Sequence, residues 1–442
     1  MRVPTSAMDM VGKSEARDGR WKTMLWAIST MSATTDEAVG SEPAPRLSQP
    51  EVRGVDCAST NETPTGVGMK KRIAAGCLLI VLQAVLARAE ETAAPASSWS
   101  DRLRIGGLFY LTYQDGTVAD EDLSRFYLTR AYLTAEAEVL PFMSARITFD
   151  TAQDLEGQGY GDMEVRLKYA FAKFRFADRW LLSSPNLEAG IVHMVWLDFE
   201  ESINLYRLRG PMFMERSNLF NSADFGLTFA SGLGPKLGAN ELSYAGNKYD
   251  ARHGSLALGL YNGTGYHGDE RNVDKVAEAR VTWRPIPDLA PGLQVSGLLI
   301  DGKGNLPADG GGPPDWEVAN LFVSYQFRRG TATAQVVDGV GNQDGSWIEA
   351  GDPSDAMPYS GYSAFLEWRL GGRQQWRLNG SFDRLERVAE DGSDFSFRYA
   401  YAAIGFDLGK ENILLLDVDR RDWDAPARAT DTRVQLVLQV SF

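Results

Sequence analysis

The chain has 442 residues, 44% hydrophobic and 11% aromatic, with 44 glycines and a formal net charge of -14. That charge argues against nucleic acid as a partner. Outside residues 69–89 no apolar run approaches the roughly twenty residues of a spanning helix, so a helical membrane protein is excluded while a membrane-crossing β-barrel is not.

Residues 1–68 are rich in Ser, Thr, Pro, Gly and charge, show no sustained period, and read as a disordered extension from an over-long gene model. Residues 69–89, MKKRIAAGCLLIVLQAVLARA, carry the three parts of a secretory signal. Lys70, Lys71 and Arg72 are basic, Ile73 to Leu86 are apolar, and Ala87-Arg88-Ala89 offers small residues for cleavage. Met69 is therefore the expected start, with a mature chain from Glu90. Cys57 and Cys77 both precede that point, which leaves the exported part without a disulfide or thiolate metal site. The exported remainder holds 34 basic and 50 acidic side chains, only 7 of the basic ones Lys.

A short Ala/Pro/Ser linker, 90–101, leads into a succession of period-two segments over 102–442. Leu103 to Tyr113 is the first. Arg130 to Val139 is the cleanest, with Ala131, Leu133, Ala135, Ala137 and Val139 opposite Arg130, Tyr132, Thr134, Glu136 and Glu138. Connections alternate in length. Leu140 to Met143, Arg329-Gly330, Gly371 to Arg373 and Lys410 to Asn412 are tight, whereas 114–124, 153–162, 301–315, 338–360 and 420–430 are long and polar. Short turns on one side and long loops on the other predict a transmembrane antiparallel β-barrel, with short periplasmic turns and long extracellular loops. Strands start near 102, 126, 144, 163, 187, 223, 253, 276, 293, 316, 331, 361, 374, 394, 412 and 432, about sixteen in all. Gly232 to Arg252 reads as one long turn or an extra hairpin, which leaves fourteen or eighteen strands open.

Alternation aims a row of cations inward: Arg104, Arg130, Arg146, Arg166, Lys168, Arg280, Arg369, Arg377, Arg398 and Arg433. Glu136, Asp150, Glu278, Glu367, Asp383 and Asp417 interleave with them. Opposed charges of this kind cross-link a wall or set a field across it.

The link LDFEESINLYRLRGPMFMERSNLFNS, 197–222, carries the densest mixture of aromatic and Arg residues. Here the chain resembles the phosphate-selective porin O/P family of Gram-negative outer membranes. The likeness rests on Glu188-Ala189-Gly190, Trp196, Glu200-Glu201, Phe213-Met214-Glu215-Arg216-Ser217, Phe225-Gly226-Leu227 and Leu258 to Gly265, with Arg130 to Leu133 and Arg284-Pro285 beside them. The resemblance implies a trimeric sixteen-stranded porin whose third long loop enters the lumen. Arg207, Arg209 and Arg216 are then candidates for contact with anionic solute, and Glu215 with Arg216 is equally a pin holding the loop to the wall. The acidity of the exported chain departs from what a phosphate funnel needs.

His193, His253 and His267 have no serine and acid at informative spacing, so no catalytic residue is assigned, nor a cofactor or metal. The expectation is passive diffusion of small hydrophilic solutes, with anions such as phosphate included, through an outer-membrane homotrimer. A non-conducting barrel for adhesion, assembly or scaffolding is the alternative. The last strand, TRVQLVLQVSF, ends on Phe442 as a terminal signal for the barrel assembly machinery would, with outer-membrane lipid against its apolar face.

Overall fold

Alternation of apolar and polar residues along nearly every strand leaves one face for lipid and one for the interior, and the chain satisfies both by closing on itself. The computed structural model describes Ser98 and residues 102–442, except 154–160, 246–247, 309–310, 390–391, 394 and 425–429. The extension 1–68 and the signal 69–89 lie outside the described residues, as does the linker apart from Ser98.

Sixteen strands form one closed antiparallel barrel. In chain order they are β1 (Leu103–Val118), β2 (Glu121–Leu140), β3 (Met143–Gln153), β4 (Met163–Arg175), β5 (Leu182–His193), β6 (Ala223–Leu233), β7 (Gly254–Tyr261), β8 (Val276–Trp283), β9 (Leu293–Lys303), β10 (Asp315–Phe327), β11 (Gly330–Val340), β12 (Pro358–Leu370), β13 (Trp376–Arg387), β14 (Phe397–Gly409), β15 (Asn412–Trp423) and β16 (Asp431–Ser441). Each pairs with its sequence neighbours, and β16 returns to β1. Among the described residues no extra hairpin lies between Gly232 and Arg252. A short helix, Ala239–Leu242, and one bridge, Lys236 to Ala251, fill that link.

The outer face carries Ile105, Leu133, Val165, Leu299, Leu321, Val336, Leu366 and Leu436, all exposed. An aromatic belt with Trp283, Tyr325, Trp368 and Trp376 marks the short-turn end, as expected at a membrane interface. The inner face is polar, with Gln114, Asp150, Ser296, Asn320, Gln335, Asp383 and Gln435 buried. On β16 Val434 and Leu436 face out and Gln435, Val437 and Gln439 face in. Edge closure at the seam is direct. The Gly107 N–H donates to the Phe442 carbonyl at 3.0 Å and the Phe442 N–H to the Gly107 carbonyl at 3.0 Å.

One link differs from expectation, and another takes the longer of its expected forms. The segment 114–124 is not an open loop, because β1 and β2 continue through it to a two-residue turn. Ala119 and Asp120 there both have positive φ, 53° and 66°, the geometry that lets a tight hairpin keep the strand twist. The link 234–253 lies on the short-turn side yet is long, and it folds against the barrel interior. There Arg284 donates to the carbonyls of Ala251 at 3.1 Å and Tyr249 at 2.9 Å.

Candidate functional site

The long link between β5 and β6 folds into the lumen. It forms helix α1 (Val195–Glu201), a 3-10 turn at Arg207–Arg209 and helix α2 (Phe213–Arg216). Its apolar residues supply much of the core, with Met194, Trp196, Phe199, Leu208, Met214 and Leu219 at 1% exposure or less. These side chains pack onto inward aromatics of the wall. Trp196 meets Phe322 edge-to-face at 5.3 Å, and Tyr206 lies 5.9 Å from Phe365.

Polar contacts fix the loop's position. The N–H groups of Val195 and Trp196 donate to the Glu278 carboxylate on β8 at 2.9 and 3.1 Å, satisfying two free donors at the start of α1. The Tyr206 hydroxyl donates to Glu367 on β12 at 2.8 Å, and Gln335 on β11 donates to Glu200 at 2.9 Å. Burial pushes the Glu200 carboxyl up to about 7, against the opposing pull of the Gln335 and Trp196 donors. Asp198 accepts from Lys248 and Tyr249 of the link 234–253, which ties that link to the loop.

All four loop residues singled out by sequence are paired. Arg207 makes a forked pair with Glu215, one arm at 2.6 Å, and lies 3.3 Å from Glu201. Burial would raise Glu215, but the Arg207 guanidinium holds its carboxyl down to about 2. Arg209 stacks 3.5 Å over the Tyr401 ring and approaches Asp417 and Asp419 at 3.9 and 3.7 Å. Arg216 pairs with Asp383 on β13, donates to the Pro211 carbonyl at 2.7 Å and lies 4.3 Å over Tyr399. The side chains of Arg207, Arg209 and Arg216 are 9%, 3% and 10% exposed; Arg209 and Arg216 pair with wall carboxylates, whereas Arg207 and Glu215 pair with each other within the loop, not Glu215 with Arg216 against the wall.

The wall cations separate into groups. Arg104 pairs with Glu136 at 3.3 Å near the short-turn end. Arg130 and Arg166 share Asp150, at 3.7 and 3.1 Å. Arg369 and Arg377 flank Glu367 at 3.0 and 3.2 Å, and Arg433 pairs with Asp419 at 2.9 Å. Arg280 is fully buried beneath Phe199, 4.1 Å from its ring centroid. Arg146 and Lys168 face the lumen over tyrosine rings.

Arg398 does not face the lumen. Phe397, Tyr399, Tyr401, Ala403 and Gly405 are the buried residues of β14, so Arg398 points outward and pairs with Asp424 at 2.9 Å. Alternation along β14 turns Tyr399 and Tyr401 inward instead, where Arg209 and Arg216 stack on them. Glu278 and Glu367 stand out in the sequence only as wall charge, and nothing in it marks them as loop anchors. Their partners lie more than eighty residues away.

Between the loop and the strands β1–β4 and β13–β16 a cavity of about 670 Å³ remains, with Tyr132, Arg146, Lys168, Arg377 and Asp407 on the wall side and Glu201 and Arg207 on the loop side. Charges of both signs thus border the cavity, from the wall as from the loop.

No family model matches the chain, and no curated protein matches it. Among solved structures it is similar to Salmonella typhi OmpF in complex with daunomycin, at 14% identity over 77% of this chain and 97% of that one, with a TM-score of 0.53. An anion-selective porin from Comamonas acidovorans gives 13% identity, 77% and 99% coverage and a TM-score of 0.49. The outer membrane channel DcaP of Acinetobacter baumannii gives 13%, 77% and 97%, and 0.47. The chain therefore shares with OmpF the fold of a closed transmembrane β-barrel.

Proposed function

We propose that the chain is an outer-membrane porin, exported through a signal cleaved after Ala89, that lets small hydrophilic solutes diffuse passively past the loop 194–222. The observation that carries this reading is the cavity left between that loop and the strands β1–β4 and β13–β16 inside the closed barrel, bordered by Arg146, Lys168 and Glu201. A sixteen-stranded barrel has a lumen wide enough for water, and an infolded loop narrows it to the scale at which wall charge sorts solutes. Anion preference in this account arises at the β2–β4 wall, because Arg207, Arg209 and Arg216 are already neutralised by carboxylates.

The narrower kinship with the phosphate-selective porin O/P family rests on the sequence motifs alone, and assembly as a homotrimer follows from the same resemblance. Reversal potentials of the reconstituted protein in a salt gradient test the anion preference, and phosphate against chloride permeability tests the narrower reading. Cation preference would remove the phosphate assignment. A correctly folded barrel that passes no current would favour the adhesion or scaffolding alternative.

A further inference from the structure

The outer wall of the barrel is not evenly covered. On β8, β9 and β10 the outward positions Ala279, Gly297 and Ala319 carry little or no side chain, and they lie among Val281, Leu299 and Leu321, each more than half exposed. A groove of about 680 Å³ opens there and runs on over β11 and β12 to Arg384 and Glu386 on β13. Glycine inside a strand weakens it and commonly marks the close approach of another group. The fold itself does not require glycine at 297, because its φ is not in the left-handed region and a Cβ built there meets no atom within 4 Å.

Register gives the groove a direction. Val281, Gly297, Leu321, Val336, Tyr362 and Arg384 stand opposite one another from strand to strand. At the usual strand spacing this row spans about 24 Å from β8 to β13. Val281 lies beside Trp283 of the aromatic belt, whereas Arg384 lies toward the far end of β13, which starts at the belt residue Trp376. Because barrel strands tilt, the row climbs from the short-turn interface to the long-loop rim. One leaflet of a bilayer core is about 15 Å thick, so a lipid tail fits along the apolar part with its headgroup at the charged end.

That end carries both signs of charge. Asp338 is exposed between Ala319 and Ser360 and pairs with no cation among the described residues. Glu386 shares Arg384 with Asp424, which lies 3.4 Å from the guanidinium. Arg384 also stands opposite Arg398 across the β13–β14 ladder, and like charges so placed repel. Asp338 therefore takes its cation from outside the chain, and the paired guanidinium groups offer forked donors to a phosphate.

We infer that the groove holds the tail of a membrane lipid whose headgroup carries a phosphate and a primary ammonium group, with the ammonium at Asp338 and the phosphate at Arg384. Apolar tails gain nothing by exchanging lipid for an apolar wall. Retention arises from the contacts that fill the groove and from the matched headgroup charges. The site lies on the outer wall, so it is independent of what passes through the lumen.

The test is lipid retention by the detergent-purified full-length protein, read by native mass spectrometry. Dimyristoyl phosphatidylethanolamine is the probe, compared with phosphatidylglycerol and phosphatidylcholine of the same tails. The wild type should bind phosphatidylethanolamine about tenfold more tightly than either. Asp338→Asn should erase the preference over phosphatidylglycerol, and Gly297→Phe should weaken binding of all three about tenfold or more. Ala402→Phe, outward on β14 and beyond the groove, should change neither. Equal binding of the three lipids, or a preference for phosphatidylglycerol, overturns the headgroup assignment, and wild-type binding by Gly297→Phe overturns the groove. A wild type that retains no lipid overturns the proposal, and loss of oligomers in Gly297→Phe, visible in the same spectra, would then give the groove to a second copy of the chain. Heat-modifiable gel migration verifies that each variant is a closed barrel.

Discussion

Replacing Glu278 with alanine removes the one carboxylate that receives both the Val195 and Trp196 N–H groups. Each buried donor left unpaired costs about 1–3 kcal/mol, so the pair costs about 2–6 kcal/mol. Even the lower figure moves a docked-to-undocked ratio by roughly thirtyfold. The rest of the loop stays anchored through Tyr206 to Glu367 and Arg216 to Asp383, so α1 frays locally and the barrel is untouched. Single-channel current noise and limited proteolysis of the detergent-folded protein read this out. Glu278→Ala should show added fluctuation of the open level and faster cleavage within 194–222. Glu278→Gln, which keeps one acceptor, should fall between it and the wild type. If Glu278→Ala matched the wild type in both noise and cleavage, the anchoring role assigned to Glu278 would be wrong.

Glu200 gives a pH dependence of defined sign. Its carboxyl is raised to about 7 in the folded loop, so the stability it lends as a neutral acid is complete below the ordinary carboxylate range and is lost as pH rises through about 7. The difference amounts to roughly 3 kcal/mol of loop docking. Cleavage of the loop should accelerate from about pH 5 to about 7 in the wild type and stay flat in Glu200→Gln; equal profiles would refute the assignment. At the seam, a Cβ added to Gly107 would come within 2.3 Å of the Phe442 ring. Gly107→Val should therefore displace that ring and cost about 1–3 kcal/mol of stability, read as a lower urea midpoint of the heat-modifiable band, and an unchanged midpoint would show the ring-over-glycine contact to be dispensable. Mass spectrometry of the mature protein should place its N-terminus at Glu90, whereas a start before Met69 would contradict the reading of the leader.

Much of the fold was legible because lipid imposes a strict rule on each strand separately. The segment Thr432 to Ser441 announces its two faces without reference to any partner, and Val437, its one apolar intruder, is buried inside. Features that depend on remote partners were not legible. The faces of β14 were read the wrong way round at Arg398, since nothing near it says that Tyr399 and Tyr401 must stack beneath arginines nearly two hundred residues earlier. The link 114–124 looked like an open loop because Asp, Gly and Glu dominate it, yet cross-strand pairing carries the hairpin to its tip. Within the candidate site, the segment 197–222 stands out in the sequence by its density of aromatic and Arg residues. Its pairing does not, because whether Arg207 meets solute or Glu215 depends on how the loop coils back on itself.

Single-channel recording of the full-length protein in a planar bilayer under a salt gradient tests the central claim most directly. The account predicts discrete, long-lived conductance steps with a reversal potential displaced toward that of the anion, and a smaller displacement in Lys168→Gln. A folded barrel that stays electrically silent, or one whose reversal potential lies on the cation side, would contradict it.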